Sequence, residues 1–482
     1  MTDMNSRRDF LKGTAWLGVT AVAAGCMSDK LRIGGAGGAP MANFRVAPME
    51  TVRVGFIGLG PRGRAAVNRV AMIPGCRVVA LCDLKRECVD EAQKALADAK
   101  KPKAKEFVGD DAWKRLADSP DVDVLYIATP IDWHTPMGLY GMKAGKHVLM
   151  EVIGCNTVEE GWALVETAEE TRRHCMMLEN CCYGEYELLA HNLCKQGLFG
   201  DIVHGEGSYI HDCRIMELKD EGNWRLKRAA ERMGNQYPTH GLGPICVDMN
   251  INRGDRLDYL TSVDSCSLGL ERAARENYPE DAWQRKLKFL SGDINTTTIR
   301  TALGKTIVAQ YCVKLPRPYS RANLICGTKG CLQSYPGRSP NREFLHVAWE
   351  EKAGDKGAHY YFDDKKTEEV REKYRHPLWK DAGAIAEKVG GHGGMDFLMD
   401  LRWAYCLQNG LPLDIDVYDL ASWSAVYALS EVSSRNRGAP VDIPDFTRGA
   451  WKTAKPFDIG GVDLKKMGPI EGIGGDKKQM SV

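Results

Sequence analysis

The 482-residue sequence has no excess of either charge: 65 basic side chains stand against 64 acidic ones, a formal net charge of +1. That balance removes the electrostatic footprint of a nucleic-acid partner, or of a protein held on an anionic membrane by charge alone. Ligand-type cysteine spacing is missing as well. Of the 16 cysteines none forms a C-x-x-C pair, and only Cys181 and Cys182 are adjacent. Neither a metal site nor a disulfide framework is indicated. Most cysteines sit in apolar runs such as "VVALC" and "IVAQYC", and read as small buried hydrophobes kept reduced. No internal repeat is visible. What is present is a hydrophobic content of 44%, sufficient for real cores, and a length that predicts two domains with a tail.

The N-terminus, "SRRDFLKGTAWLGVTAVAAGC", carries twin arginines, Arg7 and Arg8, ahead of an apolar run too short to span a bilayer. It ends in Ala24-Gly25-Cys26, a lipobox pattern. Residues 1–26 read as a bacterial twin-arginine export signal. The expected location is periplasmic or lipoprotein-anchored, with a lipid on Cys26 as the one membrane contact. This route carries proteins already folded, often around a cofactor. Residues 27–50, rich in Gly, Ala and Pro, read as a linker.

From Thr51 the texture is α/β. "VRVGFIG", "RVVALCD", "VDVLYIATP" and "KHVLMEV" are buried-strand candidates separated by helical spacing, which predicts an N-terminal Rossmann domain with a parallel sheet over 51–180. Residues 181–450 predict a C-terminal α/β domain with an open, largely antiparallel sheet, since "INTTTIRTALGKTIVAQYCV" alternates with period 2. Residues 416–438 predict a long helix packing back across both domains, and 451–482 a loose tail.

"GFIGLGPRGRAAV" sets Gly58, Gly60 and Gly63 in G-x-G-x-x-G spacing between a strand and a helix. Asp83 ends the next strand about twenty residues on. Gly58 permits the tight turn, Gly60 lets backbone approach a pyrophosphate, and Asp83 suits a ribose diol, which favours NAD over NADP. Other strand ends bring Ile131, Asp132, Trp133 and His134, then Glu151 and Val152, then Asn180 to the same crevice. His134 is either a ligand contact or a helix-start histidine satisfied by backbone.

Beyond the cofactor domain, "EGSYIHDCR" reads as a strand with Tyr209 and His211 on one face and Asp212 and Arg214 on the other. "NWRLKR" supplies Arg225, and "KLPRPYS" supplies Tyr319. "NQYPTHGLGP" places Tyr237 and His240 at i and i+3, so that phenol and imidazole can serve one substrate.

Residues 51–450 resemble the Gfo/Idh/MocA oxidoreductase superfamily, and within it glycoside hydrolase family 109. The resemblance runs in order through "GPRG", "IDWH", "MKAGKHVLMEV", "LENCCY", "GLFGDIVHG", "YIHD", "YPTHGLGP", "INRGDR", "RPY", "GHGGMDF", "DVYDLASW" and "IPDFTRG". It gives one further absence its meaning. Ordinary dehydrogenases of the superfamily typically end the strand matching "KHVLMEV" in Glu-Lys-Pro, with the lysine helping to handle the hydroxyl proton; here the triplet is Glu151-Val152-Ile153. By resemblance Pro61, Arg62, Asp83, residues 131–134, Glu151, Val152 and Asn180 contact NAD, while Tyr209, Arg225, Tyr237, His240 and Tyr319 contact a sugar. Tyr237 and His240, with His211 as a further candidate, would handle protons. The implied activity is release of terminal α-linked N-acetylgalactosamine from a glycan by a redox-neutral, NAD-mediated route, in a chain that pairs as a homodimer. A net NAD-dependent sugar dehydrogenase and a non-catalytic sugar-binding lipoprotein with structural NAD stand as the alternatives.

Overall fold

The computed structural model describes residues 38–335, 345–355 and 359–470. The export signal and lipobox at 1–26 lie outside the described residues. A division falls after Gly38, and the second unit, Ala39–Val482, carries both sheets.

The first sheet takes its strands from β1 (Val52–Ile57), β2 (Cys76–Asp83), β3 (Lys105–Val108), β4 (Val124–Ile127), β5 (His147–Met150) and β6 (Cys175–Met177). Their order is β3-β2-β1-β4-β5-β6, and every pairing is parallel. β4 and β5 are buried along their whole length, as strands covered by helices on both faces must be. Strand order reverses between β1 and β4, so a crevice opens beyond their C-terminal ends.

The second sheet comprises β7 (Ile202–Ile210), β8 (Leu257–Asp264), β9 (Asn295–Thr301), β10 (Thr306–Cys312), β11 (Leu324–Gly327), β12 (Gly330–Ser334), β13 (Leu345–Trp349) and β14 (Val441–Asp442). Its order is β13-β12-β11-β7-β10-β9-β8-β14, antiparallel except where β7 meets β10. β9 alternates buried and exposed residues without a break, so one face is covered and the other meets solvent. Helix Thr239–Asp248 lies against β7 on the covered side.

Helix Val417–Arg435 joins the two halves, touching β6, helix Val158–Thr171 and β8. Its start is fixed by a reciprocal cap. Asp416 accepts from the amides of Tyr418 and Asp419, and Asp419 accepts from the Asp416 amide at 3.0 Å.

Three expectations need correction. The second half of the supposed linker is docked: Met41 is buried with its amide 3.0 Å from the Tyr418 hydroxyl, and Phe44 packs on His174 with ring centroids 4.7 Å apart. Nor is the described part of the tail, residues 451–470, loose, because Phe457, Ile459 and Val462 are buried. Finally, β7 stops at Ile210. Asp212 and Arg214 do not line a strand face; they pair with each other at 2.8 Å and start the short helix Arg214–Leu218. The polar–apolar alternation simply continues past the strand's end.

Candidate active site

The crevice begins at the turn after β1. Gly58 has φ +88°, and a Cβ there would sit 2.7 Å from the Ala128 carbonyl carbon. A Cβ at Gly63 would collide with the Gly58 carbonyl oxygen, so turn and helix can close only without side chains. Helix Pro61–Met72 begins at Gly60 with Pro61 in its first turn, no side-chain cap and no acidic residue there. Its first amides are therefore available to an anion, and a Cβ at Gly60 would meet nothing within 4 Å. Asp83 stands beside this turn, accepting from the Leu59 amide at 2.7 Å and the Lys85 amide at 2.9 Å. Glycine cradle, uncapped amides and strand-end carboxylate fit a dinucleotide.

Arg62 crosses the crevice, donating to Glu151 at 2.7 Å and to Asp396 at 2.7 Å. Asn180 donates its side-chain amide to the other Asp396 oxygen at 2.5 Å, and His392 Nδ1 lies 2.9 Å from the oxygen that Arg62 holds. Burial alone would raise the Asp396 carboxyl; Arg62, His392 and Arg69 overcome it and hold the group well below its ordinary value. Val152 and Ile153 are buried; Ile153 packs with Ile131 and Tyr427.

Within the 131–134 stretch the side chains part company. Asp132 and Trp133 are exposed, and Asp132 pairs with Arg228. His134 is buried, with Nδ1 2.8 Å from the Ile153 carbonyl and Nε2 2.8 Å from the Thr129 carbonyl. Each ring nitrogen faces a backbone carbonyl, and the neutral ring donates to one of the two. Burial holds the imidazole below its ordinary pKa. The ring ties the loop after β4 to the loop after β5.

Tyr209, Arg225, Tyr237, His240 and Tyr319 come together although they derive from β7, helix Trp224–Glu231, the start of helix Thr239–Asp248 and the loop after β10. Ring centroids are 4.9 Å apart for Tyr209 and Tyr237, 4.8 Å for Tyr237 and His240, and 5.3 Å for Tyr209 and His240. Tyr319 closes one side, 6.4 Å from Tyr209, and accepts a hydrogen bond from Arg321 at 2.9 Å. The Arg225 guanidinium lies 4.7 Å from the Tyr237 ring and 4.5 Å from that of Trp224, and it makes no ion pair among the described residues. His211 sits at the edge, 5.6 Å from Tyr319, with Nδ1 3.2 Å from the Cys213 sulfur. Burial raises the Tyr237 phenol strongly, with Arg225 offsetting part, so it stays protonated at neutral pH.

Helix Thr239–Asp248 reaches β7 through glycines. A Cβ on Gly241 would strike the Ser208 amide, and one on Gly207 would strike the Gly241 carbonyl. This backbone contact is what sets the His240 ring against Tyr209.

Sequence reasoning missed Glu179. Its carboxylate is fully buried, 2.7 Å from His240 Nδ1, and accepts from the Cys181 amide at 3.1 Å. The strand-end rule that singled out Asn180 applies equally to the residue before it. Asp396 was missed too, although it lies in the "GHGGMDF" stretch. Glu179, Cys181 and His240 also bring three donor atoms within 4.8 Å of one another, a grouping that no sequence spacing could disclose.

Residues 183–453 match the family model described as glycosyl hydrolase 109, C-terminal domain, and residues 52–179 match the oxidoreductase family, NAD-binding Rossmann fold. The chain is 46% identical over 462 residues to glycosyl hydrolase family 109 protein 2 of Shewanella sp. (strain ANA-3), covering 94% of this chain and 99% of that one. It is 47% identical over 413 residues to an alpha-N-acetylgalactosaminidase of Bacteroides fragilis, covering 84% and 94%. An alpha-N-acetylgalactosaminidase of Shewanella oneidensis is 43% identical over 463 residues, covering 94% and 99%. Among solved structures, levoglucosan dehydrogenase in complex with NADH and levoglucosan superposes with a TM-score of 0.61 at 20% identity, covering 82% of this chain and 100% of that one, a likeness of fold.

Proposed function

The chain belongs to glycoside hydrolase family 109 and carries an NAD-binding Rossmann domain, and from that premise we propose that it releases terminal α-linked N-acetylgalactosamine from glycans without net redox change. The observation that carries this reading is the cluster of Tyr209, Arg225, Tyr237, His240 and Tyr319, tied through His240 and Glu179 to the end of β6, where Asn180 stands. The names of the 43–47% identical relatives support the substrate.

The turn at Gly58, Gly60 and Gly63, with Asp83, would hold NAD⁺, which would supply reversible oxidation at the sugar's C3 carbinol with no net redox change. Protein groups manage the protons. A C3 ketone acidifies the C2 proton; a protein base takes that proton as the C1–O bond breaks, and the leaving oxygen receives a proton. Water then adds at C1 while a proton returns to C2. The Tyr237 phenol, kept protonated by burial, can donate, and His240 Nε2 can accept. Arg225 and Tyr319 orient hydroxyls or the acetamido oxygen. Positioned acid–base groups alone supply about 10²–10⁴-fold, short of the roughly 10⁶-fold an enzyme needs, so activation through C3 carries the remainder. Glu151 paired to Arg62, with Val152 where net dehydrogenases of the superfamily hold a lysine, weighs against free-sugar oxidation.

The twin arginines and Cys26 support export of the folded, cofactor-loaded protein to a lipid-anchored position. A dinucleotide that is not consumed suits such a place.

The test is turnover of p-nitrophenyl α-N-acetylgalactosaminide in deuterated water. Deuterium at C2 of the released sugar is expected, with NAD recovered from the denatured protein. A product fully protonated at C2 would defeat the elimination route.

A further inference from the structure

We propose that Glu179 is a positioning residue for His240: its carboxylate fixes the imidazole with Nδ1–H toward the core and Nε2 toward the substrate, and holds the imidazolium that forms when Nε2 accepts the sugar's proton. This rests on the function proposed above.

The geometry has the parts of an acid–base pair. Glu179 is fully buried, and its Oε1 lies 2.7 Å from His240 Nδ1. A neutral imidazole that donates from Nδ1 must accept at Nε2. That nitrogen has no hydrogen-bond partner among the described residues, and the ring lies between Tyr209 and Tyr237. The other Glu179 oxygen has no partner of good hydrogen-bond geometry among them; the Thr239 hydroxyl stands near the carboxylate, and the Cys181 amide and His240 hold its first oxygen. A buried carboxylate in hydrogen-bond contact with a histidine sets tautomer and ring orientation at once, and stabilises the charged ring during proton transfer. Burial works against the carboxylate, yet the neighbouring imidazole holds Glu179 below its ordinary pKa.

The ring's surroundings are few. Glu179 faces it from the turn after β6, with the Cys181 thiol behind, kept protonated by burial. Tyr209 faces it from β7, Tyr237 from the loop before the helix, and Arg225 covers both phenol rings. Glu179 is the one carboxylate among the described residues in hydrogen-bond contact with it.

The experiment compares Glu179→Gln and Glu179→Asp in the full chain, each checked for melting temperature and NAD content. Glu179→Gln keeps the shape and loses the charge. We expect KM within about threefold of the parent, kcat lower by about 10²–10⁴-fold, and the acidic limb of the kcat/KM profile moved to lower pH. Glu179→Asp should recover at least about tenfold of the lost kcat. Deuterium exchange at C2 should fall in step with kcat. A folded, NAD-loaded Gln variant with parental kcat and pH profile overturns the proposal. Should the Gln variant not fold, Glu179→Met, which fills the same space without charge, decides: parental kcat and pH profile in that folded, NAD-loaded variant have the same force. Activity abolished by a chelator and restored by zinc would also overturn it, making the Glu179, Cys181 and His240 trio a metal site. Absence of C2 exchange in the parent chain itself would instead defeat the elimination mechanism and leave the pairing of these residues untouched.

Discussion

Arg69 has almost no access to water, yet its guanidinium is charged: it donates to Asp400 at 2.8 Å and reaches Asp396 at 3.7 Å. Asp400 is just as buried, also accepts from the Trp403 indole at 3.1 Å, and is raised by burial against the pull of Arg69. Such a pair is costly to break and cheap to replace whole. Arg69→Met should lower stability by about 3–5 kcal/mol, because it strands a carboxylate in the core. Arg69→Met with Asp400→Leu should recover most of that. Urea midpoints of parent, single and double variants decide it; a double variant no better than the single would show that the pair itself stabilises the fold. At this scale the sequence is readable where chemistry is local. Tyr237 and His240 stand three apart in one motif, and they do meet. Glu179 and His240 lie 61 residues apart, and Asn180 and Asp396 216 apart. No local signal marks such partners, since the contact is created by the packing of two elements. His134 shows the reverse. Its place at a strand end left a ligand role and a backbone-satisfied role equally open, and the fold sets its ring between two backbone carbonyls.

Between elements, the crossing of helix Thr239–Asp248 over β7 is closer than side chains permit. Gly207 and Gly241 meet backbone to backbone, and backbone cannot yield as a flexible side chain can. Gly241→Ala must lift the helix from the sheet, carrying His240 away from Tyr209. The expected cost is about 2–4 kcal/mol of stability with a lower kcat/KM at any temperature where the variant stays folded. Calorimetry with kinetics on the folded variant checks this; a melting temperature within a degree of the parent's would contradict the crossing described. The strands themselves were readable from pattern. β9 alternates as its sequence does, and β4 and β5 are the continuous apolar runs of a covered parallel sheet. The end of β7 was not readable. Asp212 accepts from the Arg214 amide and guanidinium, turning the chain into a helix while the polar–apolar alternation runs on.

Across the whole molecule, an α/β protein with a parallel and a largely antiparallel sheet could be read from the sequence, because strand and helix periods alternate early and period 2 takes over later. What composition hid is how the ends are tied down. Residues 39–50 look like linker yet place Phe44 on His174, whose ring lies 5.1 Å from that of His147. A second buried histidine pair, His191 and His376, has ring centroids 6.3 Å apart, and His376 bonds the Ile459 carbonyl of the C-terminal segment. Burial drives all four down, His147 and His191 to about 4 and His174 and His376 to about 3. In the unfolded chain they titrate near 6.5, so below that pH the unfolded state binds protons that the folded state refuses. Stability from these rings is therefore complete above about pH 6.5 and falls as pH drops toward about 4 for His147 and His191 and about 3 for His174 and His376, each histidine adding a slope of about 1.4 kcal/mol per pH unit. Between pH 6.5 and 5 this loss precedes that of the low-titrating carboxylates such as Asp396. Urea midpoints at half-unit steps from pH 7 to 5 should decline, and His174→Gln, which cannot take up a proton, should flatten the decline by about one histidine's slope. A midpoint constant over that range, or a slope indifferent to His174, would mean these rings do not set the acid limit of the fold.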